Sequence, residues 1–144
     1  MSFKHTDITE LIINAFYTVY NTLGYGFLEK VYRNALAIEL RKLGLDVIQE
    51  ARITVYYDGE VVGEYFPDLL VAGAVIVELK AVKRLLSEHE AQLLNCLKAT
   101  PYEVGLLLTL APSLRSSAGH SITPAKDLCT GLLVHRRQIN VDSR

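Results

Sequence analysis

The chain has 144 residues, half of them apolar and 22% charged, with a formal net charge of -1 and a pI near 6.4. That length supports one sizeable core, and the composition is that of an ordinary soluble globular protein with no internal repeat or low-complexity segment. The near-neutral charge argues against bulk electrostatic capture of DNA or RNA, while leaving room for a local basic rim around an acidic pocket.

Asp7 with Glu10 resembles a capping box, and Ile8, Leu11, Ile12, Ala15, Val19 and Leu23 then fall on one helical stripe. Gly24-Tyr25-Gly26 ends this helix. A second helix is predicted from Phe27 to Leu43, anchored by Leu28, Val31, Ala35 and Leu36, with Gly44 at its left-handed terminus. The period changes after Val47. Arg52 to Tyr57 is rich in strand formers, and Asp58-Gly59 is a strong hairpin turn. Val61 to Phe66 is predicted to return as the partner strand and run into Pro67-Asp68 and on through Leu69 to Val71. Ala72-Gly73 turns, and Ala74 to Val82 reads as another strand. Ser87 with Glu90 forms a second capping box, opening a helix from about Glu88 to Ala99. Val104 to Leu110 is a nearly all-aliphatic strand. Ala111 to Thr130 reads as loop, Leu132-Leu133-Val134 as a short last strand, and the final residues as a fraying end. This mixed order predicts an α/β fold with a mixed central β-sheet flanked by helices, in one domain over residues 1–144 with a divergent tail over 110–144.

Cys96 and Cys129 lie far apart, so neither a disulfide framework nor a zinc knuckle is expected, and a reducing cytoplasm fits best. The first residues, MSFKHTDITE, hold no apolar signal core, and Leu69 to Val77 is too short to span a bilayer, so no membrane partner is expected. An exposed sheet edge in so small a domain would suit a homodimer.

Between Asp68 and Lys80 every residue except Glu78 is apolar or glycine. Glu78 and Lys80 are two apart on a strand and so point to the same face, one that would otherwise be buried. A lone carboxylate there would cost several kcal/mol, roughly, unless paired or metal-bound. A simple Glu78–Lys80 pair explains two residues but leaves Asp68, on the adjacent strand, unexplained. Convergence of Asp68 and Glu78 on Mg²⁺ or Mn²⁺ explains all three, because hard divalent cations want carboxylate oxygens. Such an ion polarises a phosphoryl oxygen and acidifies a bound water. Lys80 would orient or deprotonate that water, or neutralise charge building on the phosphate.

Pro67-Asp68, nine residues and then Glu78-Leu79-Lys80 resembles the PD-(D/E)xK nuclease signature. Upstream, Gly26 to Tyr32 (GFLEKVY) is similar to the Gly-x-x-Glu-x-x-Tyr motif that names the bacterial GxxExxY family. Downstream, His89 to Ala99 resembles that family's glutamine-bearing helix, and together the matches cover about Ile8 to Leu110. The resemblance implies a restriction-endonuclease-like core and a metal-dependent nuclease. In it Glu29 would be the helix carboxylate completing the metal site, rather than a solvated partner of Arg33 one turn on. Tyr32 would either brace that carboxylate or contact phosphate, or else pack in the core with a polar tip. Gly26 would permit the close turn before a helix N-terminus, itself a phosphate-binding element. Gln92 would contact phosphate or support the site rather than stand as an exposed helix glutamine. His89, on the same helix face as Gln92 and Cys96, reads as a surface residue near a helix start. Relatives usually carry an aromatic where this chain has Cys96, which reads as a buried filler, and the tail after Leu114 departs from the family pattern.

The expected function is therefore divalent-metal-dependent hydrolysis of phosphodiester bonds, in DNA more than in RNA. A catalytically inactive nuclease-fold binding or assembly module is the alternative, and a hydrolase acting on a smaller phosphate ester shares the same chemistry. Lys83 and Arg84, with Lys80, could line a phosphate track or simply solvate a loop, and His135-Arg136-Arg137 is a basic cluster too short for a nucleic-acid arm.

Overall fold

The computed structural model of the chain describes residues 5–82, 86–102, 104–110 and 131–135. The expectations for Lys83 and Arg84, for the 111–130 loop, for Arg136 and Arg137 and for the chain end lie outside these residues.

Two helices come first, α1 (His5–Leu23) and α2 (Glu29–Lys42). Both starts differ from expectation. Asp7 lies in the first turn of α1 rather than capping it, and α2 begins at Glu29 with Leu28 as its cap residue. Seven strands and one helix follow: β1 (Val47–Gln49), β2 (Ile53–Tyr57), β3 (Glu60–Tyr65), β4 (Leu69–Val71), β5 (Val75–Lys80), α3 (Ser87–Lys98), β6 (Val104–Thr109) and β7 (Gly131–His135). Among the described residues β1, β4, β5, β6 and β7 form one sheet in that order, and β2 and β3 form a separate antiparallel pair. Among the described strands only β5 and β6 run parallel, and α3 lies in their crossover, as a parallel connection requires. The sheet is the mixed α/β kind that the sequence predicts.

The predicted continuous strand from Val61 through Val71 is broken. β3 belongs to the hairpin, while β4 pairs with β1 and β5. Pro67, which has no backbone N–H to give to a ladder, sits in the break, and the chain changes sheets across Phe66 to Asp68. The hairpin turn itself is as predicted. Asp58 and Gly59 both take positive φ, 51° and 76°, the pair of left-handed residues that a two-residue hairpin turn needs.

Alternation along β5 separates two apolar layers. Val75, Val77 and Leu79 pack with α1 and α2, in a cluster that includes Ile12, Phe16, Leu36 and Leu40. Ile76 packs on the opposite face with Leu93 and Leu97 of α3 and Ile53 of the hairpin. The sheet is thus a middle layer, covered on one side by α1 and α2 and on the other by α3 with the hairpin. Glu78 and Lys80 share parity with Ile76, so they fall on the α3 side. Fully burying each of these aliphatic side chains contributes roughly 1.5–3 kcal/mol, which fixes the register and hence the face that Glu78 must take.

α3 sits close on β6. A Cβ built on Gly105 would lie 2.9–3.1 Å from the terminal carbons of Leu93, and Leu93 is fully buried. Gly105→Ala is therefore expected to destabilise the protein by about 1–3 kcal/mol through overpacking. A urea melt with an unchanged midpoint would show that Leu93 can yield.

Candidate active site

The site lies where β4 and β5 meet the α3 layer. Leu69 pairs with Val77, so extending that antiparallel register by one residue sets Asp68 opposite Glu78. Two cross bonds fix the pair. The Asp68 backbone N–H donates to Glu78 Oε1 (3.3 Å), and the Leu79 N–H donates to Asp68 Oδ2 (2.8 Å). Glu78 is only 6% exposed, a level that demands compensation for a charged carboxylate.

That compensation is incomplete. Burial first, and the nearby Asp68 second, push the Glu78 carboxyl up from 4.5 to about 7, with Lys80 and a hydrogen bond from Tyr65 acting the other way. Burial also raises the Asp68 carboxyl. The Leu79 N–H and Arg33 oppose that rise, and Glu29 adds to it. Two facing carboxylates with too little positive charge around them suit a hard divalent cation, which would favour both charged forms.

Glu29, the first residue of α2, reaches the same strand end. Its Oε1 accepts the Ala81 N–H at 2.7 Å, so a residue far back in the sequence sits beside Lys80. It does not pair with Arg33. Arg33 instead donates through Nη1 to Glu50 Oε1 (3.1 Å) and to Asp68 Oδ1 (3.4 Å). Among the described residues no three acidic, histidine or cysteine side chains stand together as a metal-holding group. Each of the three acids engages a backbone N–H instead, and Asp68 also engages Arg33. The structure therefore brings Asp68 and Glu78 face to face, with Glu29 adjacent rather than in one tight cluster with them.

Lys80 and Gln92 line an open cleft of about 420 Å³ together with Glu78, Tyr65, Phe66 and Asn95. No salt bridge among the described residues holds the Lys80 ammonium. Tyr65, Phe66, Asn95 and Arg33 carry no motif signal and were not legible as site residues. Tyr65 could have been singled out only by knowing that the hairpin folds back over the end of β5. Burial and the neighbouring Glu78 raise the Tyr65 phenol above its usual range, so it remains a donor to that carboxylate.

Tyr32 is placed elsewhere. Its ring is 1% exposed and stacks on Tyr20. Its hydroxyl donates to the Gly24 carbonyl and accepts the Phe27 N–H at 3.3 Å. It packs in the core with a polar tip and ties down the loop that delivers Glu29. Gly26 lies in that loop with φ +113°, a conformation that strongly favours glycine. His89 accepts the Leu86 N–H through Nδ1 at 3.0 Å, so it braces the start of α3, where Leu86 rather than Ser87 is the cap residue. Cys96 is 4% exposed, and burial with the nearby Glu78 pushes its thiol up to about 12, which leaves it a packing residue and no nucleophile.

No helix of the described residues is long and apolar enough to cross a membrane. No curated protein and no solved structure matches the chain. A family profile does, over residues 6–119, described as the PD-(D/E)XK nuclease superfamily. The matched span takes in both helices before the sheet, the facing acids, Lys80 and α3, and it covers well over half of the sequence. The chain belongs to the PD-(D/E)XK nuclease superfamily.

Proposed function

We propose that this chain is a divalent-metal-dependent nuclease of the GxxExxY group, hydrolysing phosphodiester bonds, in DNA before RNA. The observation that carries the reading is the facing pair Asp68 and Glu78, the latter buried, with Lys80 beside Glu78 on one cleft and in no ion pair among the described residues. Asp68 and Glu78 would hold Mg²⁺ or Mn²⁺, and Glu29 would complete the donor set. Such an ion supplies Lewis acidity toward the phosphoryl oxygen and lowers the pKa of a coordinated water.

The chain's own residues do the rest. Lys80 sits two residues beyond Glu78 on the same face, where its ammonium meets either the attacking water or the charge building on the phosphate. Tyr65 donates to Glu78 and holds that carboxylate in one orientation. Arg33 holds Asp68 through Oδ1, the oxygen that the Leu79 N–H does not take, and is itself anchored by Glu50. Tyr32 and Gly26 act through Glu29, by fixing the loop before α2. Gln92 faces the cleft from α3, where its amide is available to substrate.

Calorimetric titration with Mg²⁺ and with Mn²⁺, followed by cleavage assays on single- and double-stranded DNA and RNA, tests the reading. Binding of one of the ions is expected, with cleavage that requires the same ion and stops on chelation. Cation binding without cleavage of any polymer would favour an inactive binding module or a smaller phosphate ester as substrate. The contact of Arg33 with Asp68, which already offsets part of that charge, is the observation on the side of the inactive module.

A further inference from the structure

The cleft that Glu78 lines is also lined by groups that the cleavage chemistry does not use. Phe66 lies two residues before Asp68, lines the cleft and is 52% exposed. The other rings at or near the site are engaged. Phe27 packs edge-on against Tyr32, and the Tyr65 hydroxyl is given to Glu78. Phe66 has no ring partner among the described residues. Burying such a ring would be favourable, yet the sheet-changing segment holds it at the cleft. Gln92 and Asn95, one helical turn apart on α3, line the same cleft and are exposed. Among the described residues neither side-chain amide has a hydrogen-bond partner. A planar ring, two free amides and an ammonium thus surround a volume in the range of small-ligand sites.

From this we infer that the cleft takes an unpaired nucleic-acid strand, with a base stacked on Phe66 and its edge met by the Gln92 and Asn95 amides. The inference rests on the nuclease reading for the idea that a nucleic acid is the ligand, and adds which form of it. In a duplex both faces of each base are covered by neighbours and its pairing edge is occupied. Only an unpaired or extruded base can offer a face to Phe66 and an edge to the amides. The charge balance points the same way. A chain with net charge -1 gains little from phosphate neutralisation, the term that dominates duplex binding, whereas stacking contributes without a basic surface. Lys80 is the cation that the cleft offers to the phosphate beside the stacked base.

The sequence contains no tryptophan, so Phe66→Trp creates a single indole reporter at the stacking position. Its fluorescence would be titrated in EDTA at low salt, where nothing is cleaved, with unpaired DNA, unpaired RNA and a DNA duplex of the same sequence. Saturable quenching by an unpaired strand is expected, with duplex binding at least ~5-fold weaker, and the arm that quenches identifies the sugar. Phe66→Leu, checked for native circular dichroism, is expected to weaken binding of a labelled unpaired strand by ~5-fold or more, the loss of one stacked base. Absence of quenching by either strand, or duplex binding as tight as single-strand binding, overturns the inference. Duplex cleavage without quenching would sink this inference and leave the nuclease reading standing. Quenching by an unpaired strand, with no cleavage under any metal, would do the reverse.

Discussion

Lys80→Ala is expected to lower kcat by ~10²–10⁴-fold, the range for losing a group that moves or orients a proton in the transition state, while Mg²⁺ or Mn²⁺ still binds. The ammonium is in no salt bridge among the described residues, so its removal breaks no ion pair, while Glu78 loses one of the groups that offset its burial. Removing a positive charge near Glu78 would if anything tighten cation binding. Asp68→Asn is expected to give the opposite split. The amide oxygen can still accept the Leu79 N–H, which Asp68 now takes at 2.8 Å, so the fold is kept. The lost negative charge should cost more cation affinity than the ~10–100-fold typical of groups that only orient a ligand, and cleavage should vanish with it. Calorimetry and single-turnover kinetics on the two variants check both halves. Cleavage that persists unchanged in both would belong to a contaminant or to another site.

The cation-free protein is expected to lose stability as pH rises from about 5 to about 8. Glu78 titrates near 7 in the fold against 4.5 ordinarily, so between those values the folded state binds more protons than the unfolded one. Stability then falls with rising pH, and the protonated carboxyl's full contribution is present only below about 4.5. The causes of this shift are burial, Asp68 just before the neighbouring strand, Lys80 on the same strand and Tyr65 on the hairpin. The raised carboxyl of Asp68 adds a change of the same sign. The expected loss is a few kcal/mol, or roughly 10 °C in Tm. Glu78→Gln, whose amide oxygen can still accept from the Asp68 N–H and Tyr65, should flatten the slope and raise Tm at pH 8. Thermal melts across this range in EDTA decide it. A slope equal in wild type and Glu78→Gln would mean that Glu78 is charged without penalty. Adding Mg²⁺ or Mn²⁺ is expected to raise Tm most at the high-pH end, because the ion binds only the folded arrangement of carboxylates.

Local chemistry made much of the fold legible. Asp58-Gly59 demands a hairpin wherever it sits between strand formers. The aliphatic run Val104–Leu110 carries no polar residue but Thr109 and so had to be an interior strand. The spacing of Glu78 and Lys80 puts both on one face by the pleat alone. Helix starts were less legible. The acid–acid and serine–acid pairs at 7 and 10 and at 87 and 90 imitate capping boxes, yet Asp7 lies inside the first turn of α1 and Leu86 is the cap residue of α3. β1 escaped notice because three residues carry too short a pattern, and its partner β4 supplies the ladder that makes it a strand.

What the sequence determined by itself is the set of chemical groups and their local facing: Glu78 and Lys80 on one face of a strand, Asp68 beside a turn-linked neighbour of that strand, and Glu29 near the start of a helix. What only the tertiary structure decided is which of them meet, and what surrounds them. Arg33 on Asp68, Tyr65 on Glu78, Phe66 at the cleft and Tyr32 turned into the core all depend on contacts between elements far apart in the chain. The physical reason is that periodicity fixes the direction of a side chain relative to its own backbone. Its partners are set by how layers stack to bury apolar surface, which no local window contains. The break at Pro67 is the clearest instance: the proline marks an interruption of the ladder, but no local feature says that the chain changes sheets there, and Phe66 beside Glu78 at the cleft lies in that crossing segment.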